Sequence, residues 1–233
     1  MSELKISFIV PAYNTEKTLE KCLKSILKLR VKKELIVIDD ESTDKTNEIA
    51  KKYADRTIRI KHSGPAVARN LGYRKTNYDI VALIDSDVVL TDDWLKEVTK
   101  NIKKYDLITS SRWWGKIFEE EMKLDINHFC PPSDFYIIKK DVMKRIGGFS
   151  EMFPWPAGED TDLLVRLLKH GYRCKCILPD YKHIGEDSSK NKKRLVKFWI
   201  SNALLTLLHL DTKLGRQWLL NKLTLKSLIK TLR

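Results

Sequence analysis

Long apolar runs are missing from this sequence. No uninterrupted apolar stretch reaches the about 18 residues that a membrane-spanning helix requires, so we expect no such helix. The apolar run in the amino-terminal MSELKISFIVPAYN is too short for the core of a signal peptide. Repeats and low-complexity tracts are also absent. With 42% hydrophobic and 32% charged residues among 233, the composition is that of a globular protein with one large domain, with or without an appendage.

Cysteine is scarce and lacks the spacing of a metal or redox motif. Cys22 falls on the apolar face of a predicted helix, and Cys174 and Cys176 are separated by one residue rather than two. We interpret these thiols and that of Cys130 as reduced and mostly buried, which is typical of cytosolic proteins.

Acidic residues are almost missing from the end of the chain. From Lys190 onward there are eleven basic residues and one acid, Asp211, which is a net charge of +10. The whole chain carries +13, so only +3 remains for the first 189 residues. Binding to nucleic acid is therefore not expected of the main body, whereas the tail has the charge to contact an anionic surface.

The first half alternates predicted strands and helices. This pattern predicts an α/β protein with a parallel, doubly wound sheet covered by helices on both faces. Predicted strands are LKISFIV, ELIVI, TIRI and DIVALI; predicted helices cover Glu16–Leu29, a segment capped by Ser42 or Thr43, and GPAVARNLGYRKT, entered through Gly64 and Pro65.

The second half is less regular but has one clear helix. GEDTDLLVRLLKHGY has acids in its first turn, leucines at helical spacing, and Gly171 as a stop. We also predict a strand in DLITSS and a strand, helix and turn in DFYIIKKDVMKRIGGF. A strand is predicted in RCKCIL, followed by a loop in PDYKHIGEDSS.

Two acids follow the most apolar strand. The run Ile80–Ile84 is followed at once by Asp85, Ser86 and Asp87. If the strand continues to Asp87, both carboxylates point to one side and repel each other. A divalent cation would relieve this repulsion, because Mg²⁺ and Mn²⁺ prefer hard oxygen ligands. The alternative is a solvated turn, which Asp and Ser also favour.

Other polar residues lie at the same kind of position. Asp39 and Asp40 follow the second predicted strand, and Tyr13 follows the first after Pro11. In open parallel sheets, ligands bind beyond the carboxyl ends of the strands. Three strand ends therefore predict one cleft.

The ordered segments SFIVPAYN, ELIVIDDESTDKT, GPAVARNLGYRKTNYDIVALIDSD and GGFSEMFPWPAGEDTDLLVRL resemble those of family-two glycosyltransferases. The resemblance covers about residues 4–185. It implies the GT-A fold, a Rossmann-like and mostly parallel sheet, with an inverting sugar transfer from a nucleotide diphospho-sugar. Within a domain over residues 1–189, it implies a nucleotide-sugar-binding half at 1–110 and an acceptor half at 111–189.

The resemblance also implies roles for the residues that bind the donor. Tyr13, after Pro11, would pack on the nucleotide base, and Asp40 would accept a hydrogen bond from its ring N–H. Asp39 would lie near the ribose or be structural. Arg69 would lie near the diphosphate or hold the acids in place. UDP-sugars are favoured over GDP-sugars as donors.

The resemblance also implies that residues from two segments of the chain surround the cation and the sugar. Asp85, Ser86 and Asp87 would bind the ribose, the sugar and a Mn²⁺ or Mg²⁺ ion, with Asp87 the firmer ligand. His183 is a candidate third ligand because it follows the last predicted strand. A structural histidine is the alternative, and we interpret the other four histidines as structural or surface residues.

The resemblance implies that Asp160 is the catalytic base, with Glu159 beside it. The alternative is that acids in a first helical turn only stabilise the helix dipole. Trp155 and Trp113 are candidates for a sugar or acceptor pocket, because aromatic faces pack well on sugar C–H groups. Filling of the hydrophobic core is their alternative.

The tail at 190–233 lies outside the resemblance and has the pattern of amphipathic helices. Thirteen residues, Phe198 to Leu210, are mostly apolar, and the segment after them places Trp and Leu among lysines. This pattern is typical of a helix lying in a membrane interface. We expect a peripheral protein on the cytoplasmic face with a lipid-linked phosphate or a glycan as acceptor. Alternatively, the tail packs on the domain or forms a homodimer.

Two other classes are less consistent with the sequence. A dehydrogenase would need a glycine-rich G-x-G-x-x-G turn after the first strand, where this chain has PAYNTEK. A binding module that has lost activity would not need both Asp87 and Asp160, which are present. A soluble transferase acting on a protein or glycan remains an alternative to the membrane-bound one.

Overall fold

The fold was obtained as a computed structural model that describes residues 3–110, 134–153, 158–177 and 179–185. Nine strands and six helices lie in these ranges. The strands are β1 (Lys5–Ala12), β2 (Lys32–Asp39), β3 (Arg56–Arg59), β4 (Ile80–Ile84), β5 (Val88–Val89), β6 (Leu107–Ser110), β7 (Phe135–Lys139), β8 (Cys174–Cys176) and β9 (Lys182–His183). The helices are α1 (Leu19–Lys28), α2 (Thr46–Tyr53), α3 (Pro65–Arg74), α4 (Asp92–Asn101), α5 (Lys140–Ile146) and α6 (Glu159–Lys169).

Seven strands form one sheet in the order β3-β2-β1-β4-β7-β6-β8. The pairs among β3, β2, β1 and β4 are parallel, as is β6 with β8. Strand β7 runs antiparallel to both β4 and β6. The predicted α/β class and mostly parallel sheet are therefore confirmed, and strands from both predicted halves of the domain share this one sheet.

The central strands are apolar on both sides because helices cover both faces of the sheet. On one face, Phe8 and Val10 of β1 belong to a core that includes residues of α1 and α4, with Trp94 fully buried. On the other face, Ile9 belongs to a core with residues of α3, α5 and α6. Gly72 permits the close packing of α3 on β1, since a Cβ there would collide with Ile9.

Three local predictions were wrong. Strand β1 extends through Pro11 to Ala12, and Pro11 lies beyond the last residue of β1 that pairs with β4. Helix α2 is not capped by Ser42 or Thr43; it begins at Thr46, whose N–H donates to the Asp44 carboxylate at 2.9 Å.

The segment after β8, predicted as a loop, is also different in the structure. It contains β9, which pairs antiparallel with β5 in a separate two-stranded sheet, with Val88 opposite His183. A two-residue strand has no periodicity to read from sequence, and its pairing partner lies about 95 positions earlier.

Within the described ranges, no helix is long and apolar enough to cross a membrane. Trp113, Trp155 and the tail at 190–233 lie outside the described residues.

Candidate active site

The loops that follow β1 and β2 are tied together by hydrogen bonds. The backbone N–H of Asn14 donates to the hydroxyl of Ser42 at 3.0 Å, and the N–H of Thr43 donates to Oδ1 of Asn14 at 2.8 Å. Further along, the N–H of Thr15 donates to the hydroxyl of Thr46 at 2.8 Å. The two strand ends therefore present their side chains from one connected platform.

Asp39 is fully buried at the end of β2, and its oxygens are engaged. Oδ1 accepts from the N–H of Ser42 at 2.9 Å, and Oδ2 accepts from the amide of Asn47 at 2.8 Å. A guanidinium nitrogen of Arg59 lies 3.3 Å from Oδ2. These contacts favour the structural alternative for Asp39 over a contact with a ribose.

Asp40 is buried just after the end of β2 and is held by the loop after β3. Its Oδ1 accepts from the N–H of Ser63 at 2.8 Å, and its Oδ2 accepts from the N–H of Gly64 at 2.9 Å. Two backbone donors therefore fix the plane of this carboxylate, which is the preorganisation that a recognition group needs.

His62 contacts both residues predicted to bind a base. Its ring stacks on Tyr13 with centroids 4.2 Å apart and planes inclined by 29°, and its Nδ1 lies 3.0 Å from Oδ2 of Asp40. Tyr13 nevertheless remains 46% exposed. Sequence analysis missed His62, although the strand-end rule that identified Tyr13 and Asp40 applies equally to the short strand β3.

Arg69 is a buried cation between acids of two distant segments. One guanidinium nitrogen donates to Oδ1 of Asp85, just after β4, at 2.9 Å, and another donates to Oε1 of Glu159, at the start of α6, at 3.0 Å. The guanidinium carbon lies 5.9 Å from the ring centroid of Tyr136 and 5.3 Å from that of Phe149. Of its two predicted roles, the structure favours holding the acids in place.

The acids around Arg69 outnumber it. Burial, together with the charges of Asp87 and Asp134, raises the pKa of Asp85 to about 6 although Arg69 opposes the shift. The site therefore carries more negative charge than its own cation neutralises.

Glu159 and Asp160 have different environments although they are adjacent. Burial and the neighbouring Asp160 raise the pKa of Glu159 to about 7, while Arg69 opposes the shift. One oxygen of Glu159 is buried without a hydrogen-bond partner. Asp160 is half-buried, and within the described ranges it accepts from the N–H and, at 3.5 Å, the hydroxyl of Thr161. Asp160 is therefore the acid of this pair that is available to a ligand.

The segment Asp85–Asp87 is a turn and does not continue β4. Strand β4 ends at Ile84, and the N–H of Val88 donates to the carbonyl of Asp85 at 3.1 Å. The expectation that strand alternation aligns the two acids was wrong because the chain turns into β5. Half-buried Ser86 lies within this turn.

The pairing of β5 with β9 brings His183 to Asp87. Nε2 of His183 lies 3.2 Å from Oδ2 of Asp87 and 3.9 Å from Oδ1 of Asp134. The hydroxyl of Tyr181 donates to the other oxygen of Asp134 at 2.5 Å. The backbone at Gly185 lies so close to Asp87 that a Cβ there would collide with its carboxylate.

These residues fit a divalent cation in part. Asp87 and His183 supply one carboxylate and one imidazole at the strand ends, and the missing side chain of Gly185 leaves room for the Asp87 carboxylate. In the part of the chain that the structure describes, no group of three or more His, Cys, Asp or Glu side chains is arranged as a complete metal site. The remaining ligands would therefore come from a bound molecule or water, as is usual for Mg²⁺.

The family model described as Glycosyl transferase family 2 matches residues 7–157. The chain belongs to this family. The match includes Tyr13, Asp40, Arg69, Asp85 and Asp87 and ends just before α6.

Three relatives place this family-2 chain among known proteins. It is 36% identical over 107 residues to glycosyltransferase GlyA of Streptococcus pneumoniae, covering 43% of this chain and 15% of GlyA. The crystal structure of residues 1–349 of S. aureus TarS in complex with UDP-GlcNAc has a TM-score of 0.65 at 22% identity, with 90% of this chain and 68% of that chain covered.

The third relative is glucosyl-3-phosphoglycerate synthase from Mycobacterium tuberculosis in complex with Mn²⁺, UDP and glucosyl-3-phosphoglycerate. Its TM-score is 0.66 at 20% identity, and the alignment covers 87% of this chain and 79% of that one. These two structural likenesses confirm the GT-A fold expected for a family-2 chain.

We predict that Arg69→Met strongly destabilises this family-2 domain. Removing the guanidinium leaves the buried Glu159 and the half-buried Asp85 without their counter-charge, which costs about 3 kcal/mol. Urea unfolding at neutral pH measures this loss. Arg74→Met is the matched control, because Arg74 lies on the same helix with a side chain 55% exposed and should change the free energy of unfolding by less than about 0.5 kcal/mol. Equal unfolding midpoints for Arg69→Met and the unchanged protein would contradict the buried-cation role.

We predict that Gly185→Ala weakens Mn²⁺ binding by about tenfold or more, because the new methyl group displaces the Asp87 carboxylate. Electron paramagnetic resonance of free Mn²⁺ during a titration measures the affinity. Gly171→Ala is the control: Gly171 has φ +74° and open space around it, so alanine there costs stability and leaves Mn²⁺ binding unchanged. Mn²⁺ binding of unaltered strength in Gly185→Ala would show that Asp87 is not held there for a cation.

Proposed function

We propose that this protein is an inverting, cation-dependent glycosyltransferase that uses a nucleotide diphospho-sugar. The observation that carries the proposal is the Arg69 bridge, which holds Asp85 at the end of β4 and Glu159 at the start of α6 in one cleft. Glu159 precedes Asp160, so the bridge keeps Asp85, which is expected near the donor phosphates, close to the helix start that carries the acid expected to act on the acceptor. The chain spans 15% of GlyA and 19% of TarS, so activity is proposed for this domain.

The donor would bind beyond the ends of β1 and β2. Tyr13 offers an exposed aromatic ring for stacking, and Asp40 offers a fixed carboxylate that accepts from a ring N–H. A UDP-sugar is the favoured donor class. The TarS complex with UDP-GlcNAc and the synthase complex with UDP support this choice by likeness of fold.

The cation would bind at Asp87 and His183, with Asp85 contributing through the oxygen that Arg69 does not hold. When bound, a divalent cation neutralises the charge that develops on the departing diphosphate. The Mn²⁺ in the synthase complex supports this assignment. Arg69 would keep Asp85 in position for this task.

Asp160 is the proposed general base. The acceptor oxygen attacks the anomeric carbon, its proton passes to Asp160, and the bond from the anomeric carbon to the diphosphate breaks with its electron pair. A single displacement of this kind inverts the anomeric configuration. Glu159 is unsuited to the role because it is 4% exposed and one of its oxygens is held by Arg69; it acts as a positioning residue for α6.

We predict that Asp160→Asn folds and binds UDP but loses transfer by about a hundredfold or more, since it cannot accept a proton. Transfer from a panel of UDP- and GDP-sugars with Mn²⁺ to hydroxyl acceptors measures the loss, and the anomeric product is identified by NMR. Asp141→Asn changes an exposed acid in the first turn of α5 and should keep full activity. Near-normal turnover of Asp160→Asn with a hydroxyl acceptor would contradict the base assignment. If the unchanged protein binds the donor but transfers no sugar, a non-catalytic binding module is the better description.

The acceptor is proposed to be lipid-linked, with the protein held peripherally on the cytoplasmic face of a membrane by residues 190–233. The eleven basic residues of this tail support the proposal, because each basic residue near an anionic leaflet contributes about 1 kcal/mol. Its Trp and Leu residues supply the apolar contacts of an interfacial helix. Packing of the tail on the domain, or between two copies of the chain, is the competing proposal.

We predict that the full chain co-sediments with anionic liposomes at low salt and that a chain ending at Ser189 stays in the supernatant. Raising the salt concentration should release the full chain, because screening weakens the attraction of the lysines. Neutral liposomes are the control for charge. If both chains stay in the supernatant with anionic liposomes, the tail does not bind membrane and a soluble glycan or protein acceptor replaces the lipid-linked one.

A further inference from the structure

Asp134 immediately precedes β7 and borders the residues proposed to bind the cation. It is 8% exposed, and its backbone carbonyl accepts from the N–H of Asp85 at 3.2 Å. This bond ties Asp134 to the carboxyl end of β4, where the acids of the cleft begin. A buried carboxylate at this place needs partners that compensate for its charge.

The two oxygens of the Asp134 carboxylate have different neighbours. Oδ2 accepts from the hydroxyl of Tyr181 at 2.5 Å. The ring of Tyr181 packs edge-to-face on Phe135, with centroids 5.5 Å apart and planes inclined by 77°. Oδ1 lies 3.9 Å from Nε2 of His183. Tyr181 therefore holds one oxygen of the carboxylate and leaves the other beside His183.

Nε2 of His183 lies near two carboxylate oxygens and, in the part of the chain that the structure describes, has hydrogen-bond geometry to neither. It is 3.2 Å from Oδ2 of Asp87 and 3.9 Å from Oδ1 of Asp134. The other ring nitrogen, Nδ1, is buried. Nε2 is therefore the ring atom that faces the acids, and an imidazole nitrogen in such surroundings is suited to binding a cation.

The acids at this place exceed the positive charge that faces them. The charges of Asp87 and Asp134 both raise the pKa of Asp85. Within the described ranges, the ion pairs of Asp87 and Asp134 are both made with His183. One imidazole thus faces two carboxylates, and a divalent cation would supply the missing positive charge.

The distances decide how Asp134 would act on the cation. Neighbouring ligands of an octahedral Mg²⁺ ion, each about 2.1 Å from the metal, are about 3 Å apart. The 3.2 Å between His183 and Asp87 matches that spacing, whereas the 3.9 Å between His183 and Asp134 exceeds it. Asp134 is therefore placed to accept from a water molecule on the cation. Such a water directs its hydrogens away from the metal and needs an acceptor, which an ionised carboxylate provides.

We propose that Asp134, held by Tyr181, is a positioning residue of the cation site and binds a water ligand of Mn²⁺ or Mg²⁺. Through this water it keeps the cation against Asp87 and His183. The inference rests on the proposed function, because it requires a divalent cation at those two residues.

Titration of the full chain with Mn²⁺, alone and with saturating UDP, tests the inference by electron paramagnetic resonance of the free ion. Asp134→Asn keeps the size of the side chain and removes its charge. It should weaken Mn²⁺ binding by about tenfold or more, as expected when an outer partner of a metal site is lost. Tyr181→Phe keeps the ring against Phe135 and removes the hydroxyl, and it should weaken binding by about threefold or more.

Two further variants complete the design. Because Tyr181 acts through Asp134, the double variant Asp134→Asn with Tyr181→Phe should bind Mn²⁺ as strongly as Asp134→Asn alone. Asp180→Asn is the matched control: it removes the same charge from the exposed residue next to Tyr181 and should change the Mn²⁺ affinity by less than about twofold.

Thermal unfolding with Mn²⁺ and with EDTA distinguishes a cation role from a structural one. A cation that binds the folded state raises the unfolding midpoint. Asp134→Asn should show a smaller rise with Mn²⁺ than the unchanged protein. A midpoint that falls equally with Mn²⁺ and with EDTA, so that the rise is unchanged, would show that Asp134 is structural and would overturn the inference.

The outcomes separate the inference from the proposal beneath it. If the unchanged protein and Asp134→Asn bind Mn²⁺ equally well, the inference is wrong and the proposed function stands. Equal weakening in Asp134→Asn and Asp180→Asn also overturns it, because net charge would then explain the effect. Weakening in Asp134→Asn but not in Tyr181→Phe overturns the role of Tyr181. If the unchanged protein binds no Mn²⁺ even with UDP, the proposed cation dependence is wrong and the inference falls with it.

Discussion

The ion-pair bridge from Asp85 through Arg69 to Glu159 is the interaction on which the rest of the site depends. Arg69 is 7% exposed, so its charge has left water and must be matched by partners. Two carboxylates from segments 74 positions apart provide the match, and two aromatic rings lie near the guanidinium. The position of α6 relative to β4 is thereby fixed by charge as well as by apolar packing.

The next residue of α3 extends the same connection. The side-chain amide of Asn70 donates to the carbonyl of Phe149 at 2.9 Å and to Glu151 at 2.7 Å, and its oxygen accepts from the N–H of Phe149 at 2.8 Å. Two consecutive residues of α3 therefore hold the strand-end acids, the start of α6 and the turn after α5. Helix α3 thereby links the carboxyl end of β4 to the start of α6.

Sequence patterns predicted those parts of the fold that depend on local periodicity. The apolar runs of β1, β2 and β4 and the leucine spacing of α6 were sufficient to predict a mostly parallel sheet, which locates the cleft at its carboxyl edge. The same patterns could not predict the β5–β9 pair, because two-residue strands have no period and their contact is long-range. The capping of α2 was wrong because several polar residues in a row compete for that position, and Ser42 instead binds Asn14.

The roles of individual polar residues required the fold. Asp39 and Asp40 are adjacent in sequence, yet Asp39 accepts from Ser42 and from Asn47 of α2, whereas Asp40 accepts from two backbone N–H groups of the loop after β3. His62 was unremarkable as a single histidine between a short strand and a helix. Its stack on Tyr13 joins residues 49 positions apart, which no local pattern records.

The antiparallel course of β7 has a consequence for how such a protein diversifies. Because β7 begins where β4 ends, and β6 ends opposite the start of β7, the last residue of β6 and the first residue of β7 lie at the same edge of the sheet as the end of β4. A change in the length of the chain between β6 and β7 therefore breaks no ladder hydrogen bond of these strands. This point of the fold tolerates insertions while Arg69 and Asp85 keep their places, so the chain can lengthen there without a new sheet having to form.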